Sequence, residues 1–165
     1  MKTVLALDLG TTTGWAIGSS PLSIISGVMK LQPGRFDSAS MRFIRFVAHL
    51  NGFTVLHPID FVVYEEVRSH KGTDAAHIYG GLMAHLQVWA EERGIPYEGV
   101  PVSTIKRWAT GKGNAGKPEM IRAMQALGHK PADDNEADAL ALCRLKLQEL
   151  SDVHTGRTEQ IDFLS

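Results

Sequence analysis

Three acidic residues stand at or near the ends of apolar runs, where a carboxylate can do chemistry. Asp8 ends "TVLALD", Glu65 follows the apolar part of "FVVYEEV", and Asp138 lies within "DDNEADALAL". Partly buried carboxylates are costly unless they are paired or bind a metal, and a cluster of them raises each member's pKa. Mg²⁺ or Mn²⁺ would relieve both costs. With two such ions, clustered carboxylates support phosphodiester cleavage. Taken singly, each acid is more commonly a solvated residue or a helix cap.

The elements around these acids predict that all three lie at the edge of the core. Strand alternation puts Asp8 on the same face as the apolar residues two and four positions before it, and it does the same for Glu65. In the last helix, Asp138 shares a face with Leu142 and Leu145. We therefore expect three carboxylates beside one sheet, although spacing alone does not establish that they converge.

Periodicity predicts an α/β domain with a mixed five-stranded sheet flanked by helices. The element order is βββαβαβααα. Strands are expected near 3–9, 14–19, 23–31, 59–67 and 97–102, and helices near 37–52, 74–93, 103–110, 117–127 and 134–150. Asp37 or Ser38 would cap the first helix and Gly52 would end it. The domain would span residues 1–150, followed by a flexible tail over 151–165.

Bulk properties point to an ordinary soluble protein. The 165 residues suit one domain, and the net charge of -1 gives no global attraction to DNA or membranes. The apolar stretches are too short for a membrane span. A single cysteine, Cys143, excludes an intrachain disulfide and fits a reducing compartment. We expect a cytoplasmic protein, in the host cytoplasm if the source is a phage.

The stretch "LALDLGTTTGWAI" has two readings. Its Gly/Thr turn could cradle a nucleotide phosphate, as in actin-like kinases and ATPases, or form a tight hairpin that lets DNA approach Asp8. The chain shows no second phosphate loop and has no room for a second nucleotide-binding domain. The segment "GKGNAGK" also lacks the Walker pattern, since Pro118 follows Lys117. We therefore predict the hairpin and no nucleotide cofactor.

A basic stretch and a polar loop are candidates for DNA contacts. Between residues 103 and 130 the only acid is Glu119, against six basic residues: Lys106, Arg107, Lys112, Lys117, Arg122 and Lys130. Such a local excess suits contacts to phosphates, although a solvated helix face is the common alternative. The loop after Glu65 contains Arg68 and Lys71 and is well placed to probe a substrate.

Four segments in order resemble the RuvC-type Holliday junction resolvases of the RNase H-like superfamily, with a phage or prophage member as the expected source. They are "LALDLGTTTGWAI", "VVYEEV", "STIKRWATGKGNAGKPEM" and "DDNEADALALC", and they span residues 5 to about 145. The resemblance implies a homodimer that nicks four-way or branched DNA symmetrically. It also implies metal-dependent attack by water that leaves 5′-phosphate and 3′-hydroxyl ends. With the clustered acids, we expect two Mg²⁺ or Mn²⁺ ions per site.

By position, the resemblance makes Asp8, Glu65 and Asp138 catalytic metal ligands. Lys106 and Lys117 match lysines close to the scissile phosphate, so Lys117 joins the catalytic set. Arg107 and Lys112 would bind DNA beside them.

The resemblance also assigns the loop and the long helix. Residues 68–71 match the segment that enters the junction centre, with Arg68 where some relatives have a stacking aromatic residue. Residues 77–89 match the helix that forms the dimer interface.

One position departs from the family pattern. The acid, sometimes a histidine, expected three residues before Asp138 is Asn135 here, whose amide oxygen can bind Mg²⁺ but carries no charge. We keep Asn135 among the metal ligands, with Asp134 or Glu136 as the substitute.

Three alternative functions stay open: an RNase H-like nuclease acting on forks, flaps or RNA–DNA hybrids, a non-catalytic DNA-binding module, and an actin-like nucleotide-binding protein.

Overall fold

A computed structural model describes residues 1–155, and their elements follow the predicted order. The strands are β1 (Val4–Asp8), β2 (Thr12–Gly18), β3 (Ile25–Lys30), β4 (Phe61–Glu66) and β5 (Tyr97–Pro101). The helices are α1 (Met41–Leu56), α2 (Thr73–Glu92), α3 (Val102–Thr110), α4 (Lys117–Ala126) and α5 (Asp134–Thr155). The predicted α/β class is confirmed.

The five strands form one mixed sheet in the order β3-β2-β1-β4-β5. The β1, β2 and β3 strands pair antiparallel as a meander, whereas β4 runs parallel to both β1 and β5. The strands β1, β3, β4 and β5 therefore all end at the same edge of the sheet. We call this edge the carboxyl edge.

Two apolar cores cover the two faces of the sheet, as strand alternation requires. Helices α3, α4 and α5 cover the face that carries Val4, Ala6 and Val63. Helices α1 and α2 cover the face that carries Leu5 and Val62. The face under α5 is the one that Asp8 and Glu65 share, because they lie an even number of residues from Ala6 and Val63.

Helix α1 differs from its predicted limits at both ends. It begins at Met41 after Ser40, which makes no capping hydrogen bond through its side chain. The carboxylate of Asp37 instead accepts hydrogen bonds from Gly34 and Arg45 within the preceding loop. The helix also continues past Gly52, because the ring of Phe53 packs 4.9 Å from that of Trp15 and stabilises one more turn.

Helix α5 is longer than predicted, since it continues through residues 151–155. The rest of the tail, residues 156–165, lies outside the described residues. Within residues 1–155, no helix combines the length and apolar character that crossing a lipid bilayer requires.

Candidate metal centre and nucleic-acid surface

The turn between β1 and β2 is closed by its own polar groups. The hydroxyl of Thr13 donates to the carbonyl of Gly10 at 2.8 Å and accepts from the Gly10 amide at 3.2 Å. The Thr13 side chain is fully buried, so these groups are engaged within the turn. The expected tight hairpin is therefore present, and it fixes the strand end that carries Asp8.

The end of β4 is held by a tyrosine from α2. The Tyr79 hydroxyl donates to the carbonyl of Glu65 at 2.8 Å and accepts from the amide of Val67 at 3.1 Å. The Glu65 side chain, only 8 % exposed, points to the opposite face, toward α5. Tyr79 thus fixes the backbone from which Glu65 projects.

Helix α5 reaches the strand ends because a glycine lies beneath its first turn. Gly14 pairs with Asp8 across the β1–β2 ladder. A β-carbon added to Gly14 would lie 1.9 Å from the carbonyl oxygen of Asn135, far inside van der Waals contact. Only glycine allows this close approach of strand and helix backbones, which brings Asp138 over the carboxyl edge.

The three predicted acids converge at this edge. Asp8, Glu65 and Asp138 each offer a carboxylate oxygen, and these oxygens all lie within 4.8 Å of one another. Burial and then Glu65, through its charge and a hydrogen bond, raise the pKa of Asp8 well above its ordinary value. Burial and then the charge of Glu65 raise the pKa of Asp138 to about 7. The cluster therefore binds protons strongly when no cation is present.

A divalent cation fits this cluster. The Oδ1 atom of Asp138 is buried and has no hydrogen-bond partner among the described residues, which is costly for a carboxylate oxygen. The donors are all hard carboxylate oxygens, the ligands preferred by Mg²⁺, Mn²⁺ and Ca²⁺.

The residues before Asp138 take different roles in the first turn of α5. Asp134 is close enough for its charge to raise the pKa of both Asp8 and Asp138. The side-chain amide nitrogen of Asn135 donates to the carboxylate of Asp133 at 3.3 Å. The buried Glu136 carboxylate accepts from Ser26 at 2.6 Å and from the amide of Ala132 at 2.7 Å. Asp134 is thus close to the cluster, whereas Glu136 is engaged in the fold.

Two lysines face the cluster from α3 and α4. The charges of Lys106 and Lys117 both lower the pKa of Asp138, against the effects of burial and Glu65. The Lys117 ammonium lies 2.6 Å from the Asp134 carboxylate, and this contact raises the pKa of Lys117. Because the Lys117 side chain is 77 % exposed, it remains accessible to a ligand approaching the acids.

The other predicted DNA-binding residues lie on α3 and in two connecting segments. Lys112 pairs with Glu119 at 3.5 Å, and the guanidinium of Arg107 lies beside Gly113. In the loop after β4, Arg68 is 80 % exposed and lies 3.4 Å from Glu66, and Lys71 is also exposed. Arg107 thus lies on α3, Lys112 lies between α3 and α4, and Arg68 and Lys71 lie between β4 and α2.

Sequence reasoning did not identify Thr13, Gly14 and Tyr79 as supports of the site. Thr13 and Gly14 lie in the quoted Gly/Thr turn, so their types were visible but their contacts were not. Tyr79 sits fourteen residues beyond Glu65. Its alignment with the end of β4 depends on how α2 packs, which no local pattern reveals.

Comparisons with known proteins identify the fold. Neither a protein-family profile nor a curated protein sequence matches the chain. Among solved structures, Thermus thermophilus RuvC in complex with a Holliday junction substrate matches with a TM-score of 0.75 at 22% identity, covering 94% of this chain and 97% of that one. A second T. thermophilus RuvC structure matches with a TM-score of 0.69 at 25% identity, covering 93% and 96%.

A eukaryotic protein shares the same fold. The yeast mitochondrial Holliday junction resolvase Ydc2 matches with a TM-score of 0.62 at 13% identity, covering 94% of this chain and 84% of that one. The resemblance stated from the sequence is thus confirmed at the level of the fold.

Proposed function

Since the chain has the fold of RuvC-type resolvases, we propose that it is a metal-dependent endonuclease that hydrolyses phosphodiester bonds in four-way and other branched DNA. The observation that carries this proposal is the convergence of Asp8, Glu65 and Asp138 within 4.8 Å beside basic side chains. A cytoplasmic location is part of the proposal and suits the free, buried thiol of Cys143.

Asp8, Glu65 and Asp138 would hold the metal, which we take to be two Mg²⁺ ions, with Mn²⁺ as a substitute. When bound, the ions would supply charge stabilisation to the attacking and leaving oxygens. In the overall reaction, a water oxygen adds to phosphorus and the P–O3′ bond breaks. The 3′ oxygen takes up a proton, leaving 3′-hydroxyl and 5′-phosphate ends.

Asp134 is our preferred fourth ligand. Its carboxylate adds negative charge close to Asp8 and Asp138, whereas Asn135 offers only a neutral amide oxygen, and its amide nitrogen donates to Asp133. Positions 134 and 138 are one helical turn apart, so both can face the same site. Asp134→Asn is expected to weaken Mg²⁺ binding, measured by calorimetry, more than Asn135→Ala does. Equal effects, or a larger effect at Asn135, would restore Asn135 as the ligand.

The lysines would bind the scissile phosphate. Lys106 and Lys117 approach the cluster from two different helices, so a phosphate between them and the acids would contact cations on one side. Lys117 joins the catalytic set in this proposal because its exposed ammonium is beside Asp134. Arg68, Lys71, Arg107 and Lys112 would hold the flanking strands through their phosphates.

A homodimer would place two such sites on one junction. Between α1 and α2 lies an open groove of about 420 Å³, lined by the apolar Val47, Ala84 and Val88 together with polar residues such as His85. Val88 is 59% exposed and Ile44 on α1 is 60% exposed, so this face leaves apolar surface uncovered. We expect light scattering to show a dimer rather than an 18.1 kDa particle. Val88→Glu should dissociate it, whereas Val55→Glu, at the exposed end of α1, should not.

The deciding experiment offers the protein four substrates with Mg²⁺, with Mn²⁺ and with EDTA. These are a four-way junction, a replication fork, a linear duplex and an RNA–DNA hybrid. Metal-dependent cutting of the junction is expected, and Asp8→Asn should abolish it while junction binding persists. Glu91→Gln, at an exposed acid in the last turn of α2, is the matched control and should cut normally.

The possible failures of this experiment have different meanings. Cutting only the RNA–DNA hybrid would assign the site to another RNase H-like activity. Absence of metal-dependent cutting of every branched substrate would refute the proposal. Full activity of Asp8→Asn would remove Asp8 from the catalytic set.

A further inference from the structure

The loop between β3 and α1, residues 32–40, presents an aromatic ring to solvent. Phe36 is 94% exposed, and the guanidinium of Arg35 lies 5.5 Å from the centre of its ring. Within residues 1–155, every other phenylalanine and every tryptophan is at least partly buried. Isolated exposed apolar residues are common on protein surfaces, so the meaning of Phe36 depends on how and where the loop holds it.

The loop is tied down on both sides of Phe36. The Asp37 carboxylate accepts from the Gly34 amide at 2.7 Å and from the Arg45 guanidinium at 2.5 Å. The same guanidinium donates to the carbonyl of Gln32 at 3.3 Å. These bonds connect the loop to α1 and fix the backbone that carries the ring.

The loop leaves the sheet at the carboxyl edge, where the acids lie. Strand β3 ends at this edge, and the amide of Leu31 donates to the carbonyl of Thr11 in the β1–β2 turn at 2.8 Å. Strand β3 is two positions from β1 in the sheet, or about 10 Å across the ladder. Strand β4, with the loop at residues 67–72, lies on the other side of β1.

A groove adjoins the loop at residues 32–40, whose Ala39 is one of its lining residues. It lies between the first turns of α1 and α2 and is lined by Arg42, Asp74 and His77 among others. The loop at residues 67–72 contains no phenylalanine, tyrosine or tryptophan. The ring of its only histidine, His70, packs 4.8 Å from that of Tyr79. The basic residues of that loop can bind phosphates, whereas the exposed phenyl ring belongs to the loop at residues 32–40.

An aromatic ring with one side near a guanidinium can still stack a base on its other side. Base stacking on aromatic side chains is a common mode of binding to unpaired nucleotides, and an adjacent arginine adds a contact to phosphate or base. Within a continuous duplex the base faces are covered by their neighbours, whereas at a branch point bases can become unstacked. A ring held in a loop that leaves the sheet at the carboxyl edge therefore suits branched DNA bound there.

We propose that Phe36, with Arg35 beside it, stacks on an unpaired base at the branch point of DNA bound at the carboxyl edge. The inference rests on the proposed nuclease function and deepens it, because it assigns recognition of the branch to the loop at residues 32–40. The loop at residues 67–72 then contributes mainly phosphate contacts.

The test measures binding without cleavage, in EDTA and at constant salt. Fluorescence anisotropy compares a four-way junction with a linear duplex, and a 2-aminopurine base at the branch point reports stacking. Phe36→Ala should weaken junction binding by about five- to a hundredfold without changing duplex binding, and should abolish the 2-aminopurine quenching. Phe36→Trp should retain tight junction binding and the quenching of 2-aminopurine. Phe36→Leu should lose both, because it keeps apolar character without an aromatic ring.

A control variant separates stacking from general apolar exposure. Leu22, 99% exposed in the β2–β3 connection at the opposite edge of the sheet, gives Leu22→Ala, which should bind like the wild type. Light scattering of each variant monitors self-association.

Three results would overturn the assignment of Phe36. The first is wild-type junction binding by Phe36→Ala, and the second is equal weakening on junction and duplex. The third is a Phe36→Ala protein that no longer self-associates in light scattering, since this would explain its weaker binding and place Phe36 in a contact between subunits. If the wild type itself fails to bind branched DNA, the nuclease proposal fails and takes this inference with it. That outcome is distinguishable because it does not depend on Phe36.

Discussion

Replacing Asp138 by asparagine should stabilise the metal-free protein above neutral pH. In the folded protein, burial and Glu65 raise the pKa of Asp138 from 3.8 to about 7. Between these pH values, the folded state holds a proton that the unfolded state has released. The free energy of unfolding therefore falls as the pH rises through this interval. Asp138→Asn keeps the shape of the side chain and removes its titration.

The size of the effect follows from the pKa interval. At 1.36 kcal/mol for each pKa unit, the interval from 3.8 to about 7 corresponds to about 4 kcal/mol. Roughly 2.5 kcal/mol of this should be lost between about pH 5 and about pH 8, because the stability falls from pH 5 until the folded state has released its proton, which it does around pH 7. The stabilisation of Asp138→Asn over the wild type should grow by that amount between these two pH values.

Urea unfolding of both proteins in EDTA, at about pH 5 and about pH 8, measures this difference. The wild type alone would not suffice, because burial and then Arg144 lower the pKa of His129, which stabilises the fold as the pH rises. His129 is present in both proteins, so its effect cancels in the comparison. Asp74→Asn, at an exposed position, should track the wild type at both pH values.

Added Mg²⁺ supplies a second readout of the same carboxylates. At about pH 8 it should raise the free energy of unfolding of the wild type, because a ligand that binds only the folded state stabilises it. The stabilisation should be much smaller for Asp138→Asn. If the difference in free energy of unfolding between the two metal-free proteins stayed constant from about pH 5 to about pH 8, burial and Glu65 would not be raising the pKa of Asp138, and the reasoning would be refuted.

Two further variants test the supports of the site. Gly14→Ala should destabilise the protein by about 3 kcal/mol or more and weaken Mg²⁺ binding, because its β-carbon would lie 1.9 Å from the carbonyl oxygen of Asn135. If urea unfolding and Mg²⁺ calorimetry of this variant matched the wild type, the close contact at Gly14 would be contradicted. Tyr79→Phe should cost about 1 to 3 kcal/mol, since it leaves the carbonyl of Glu65 and the amide of Val67 without their partner. An unchanged thermal midpoint would show that Tyr79 does not hold the end of β4.

The sequence could predict the order of elements and the faces on which the acids lie. Both follow from local periods, as with Asp8 two residues beyond Ala6 in β1. It could not decide between Asp134 and Asn135, because positions three and four residues before Asp138 both face the same side of a helix. The choice depends on the rotation of α5, which contact with Gly14 helps to set. The predicted end of α1 at Gly52 was wrong because Phe53 packs against Trp15, a residue distant in sequence, and the helix continues.

The contact beneath α5 has a consequence for how this protein can change over evolutionary time. At position 135 the sheet touches the carbonyl oxygen, a group that every amino acid possesses. This contact with the sheet thus constrains the backbone at that position and not the identity of the residue. Substitutions at 135 can accumulate without disturbing it, whereas position 14 accepts only glycine. Such an arrangement allows the ligand role to pass between neighbouring positions of a helix turn while the architecture stays constant.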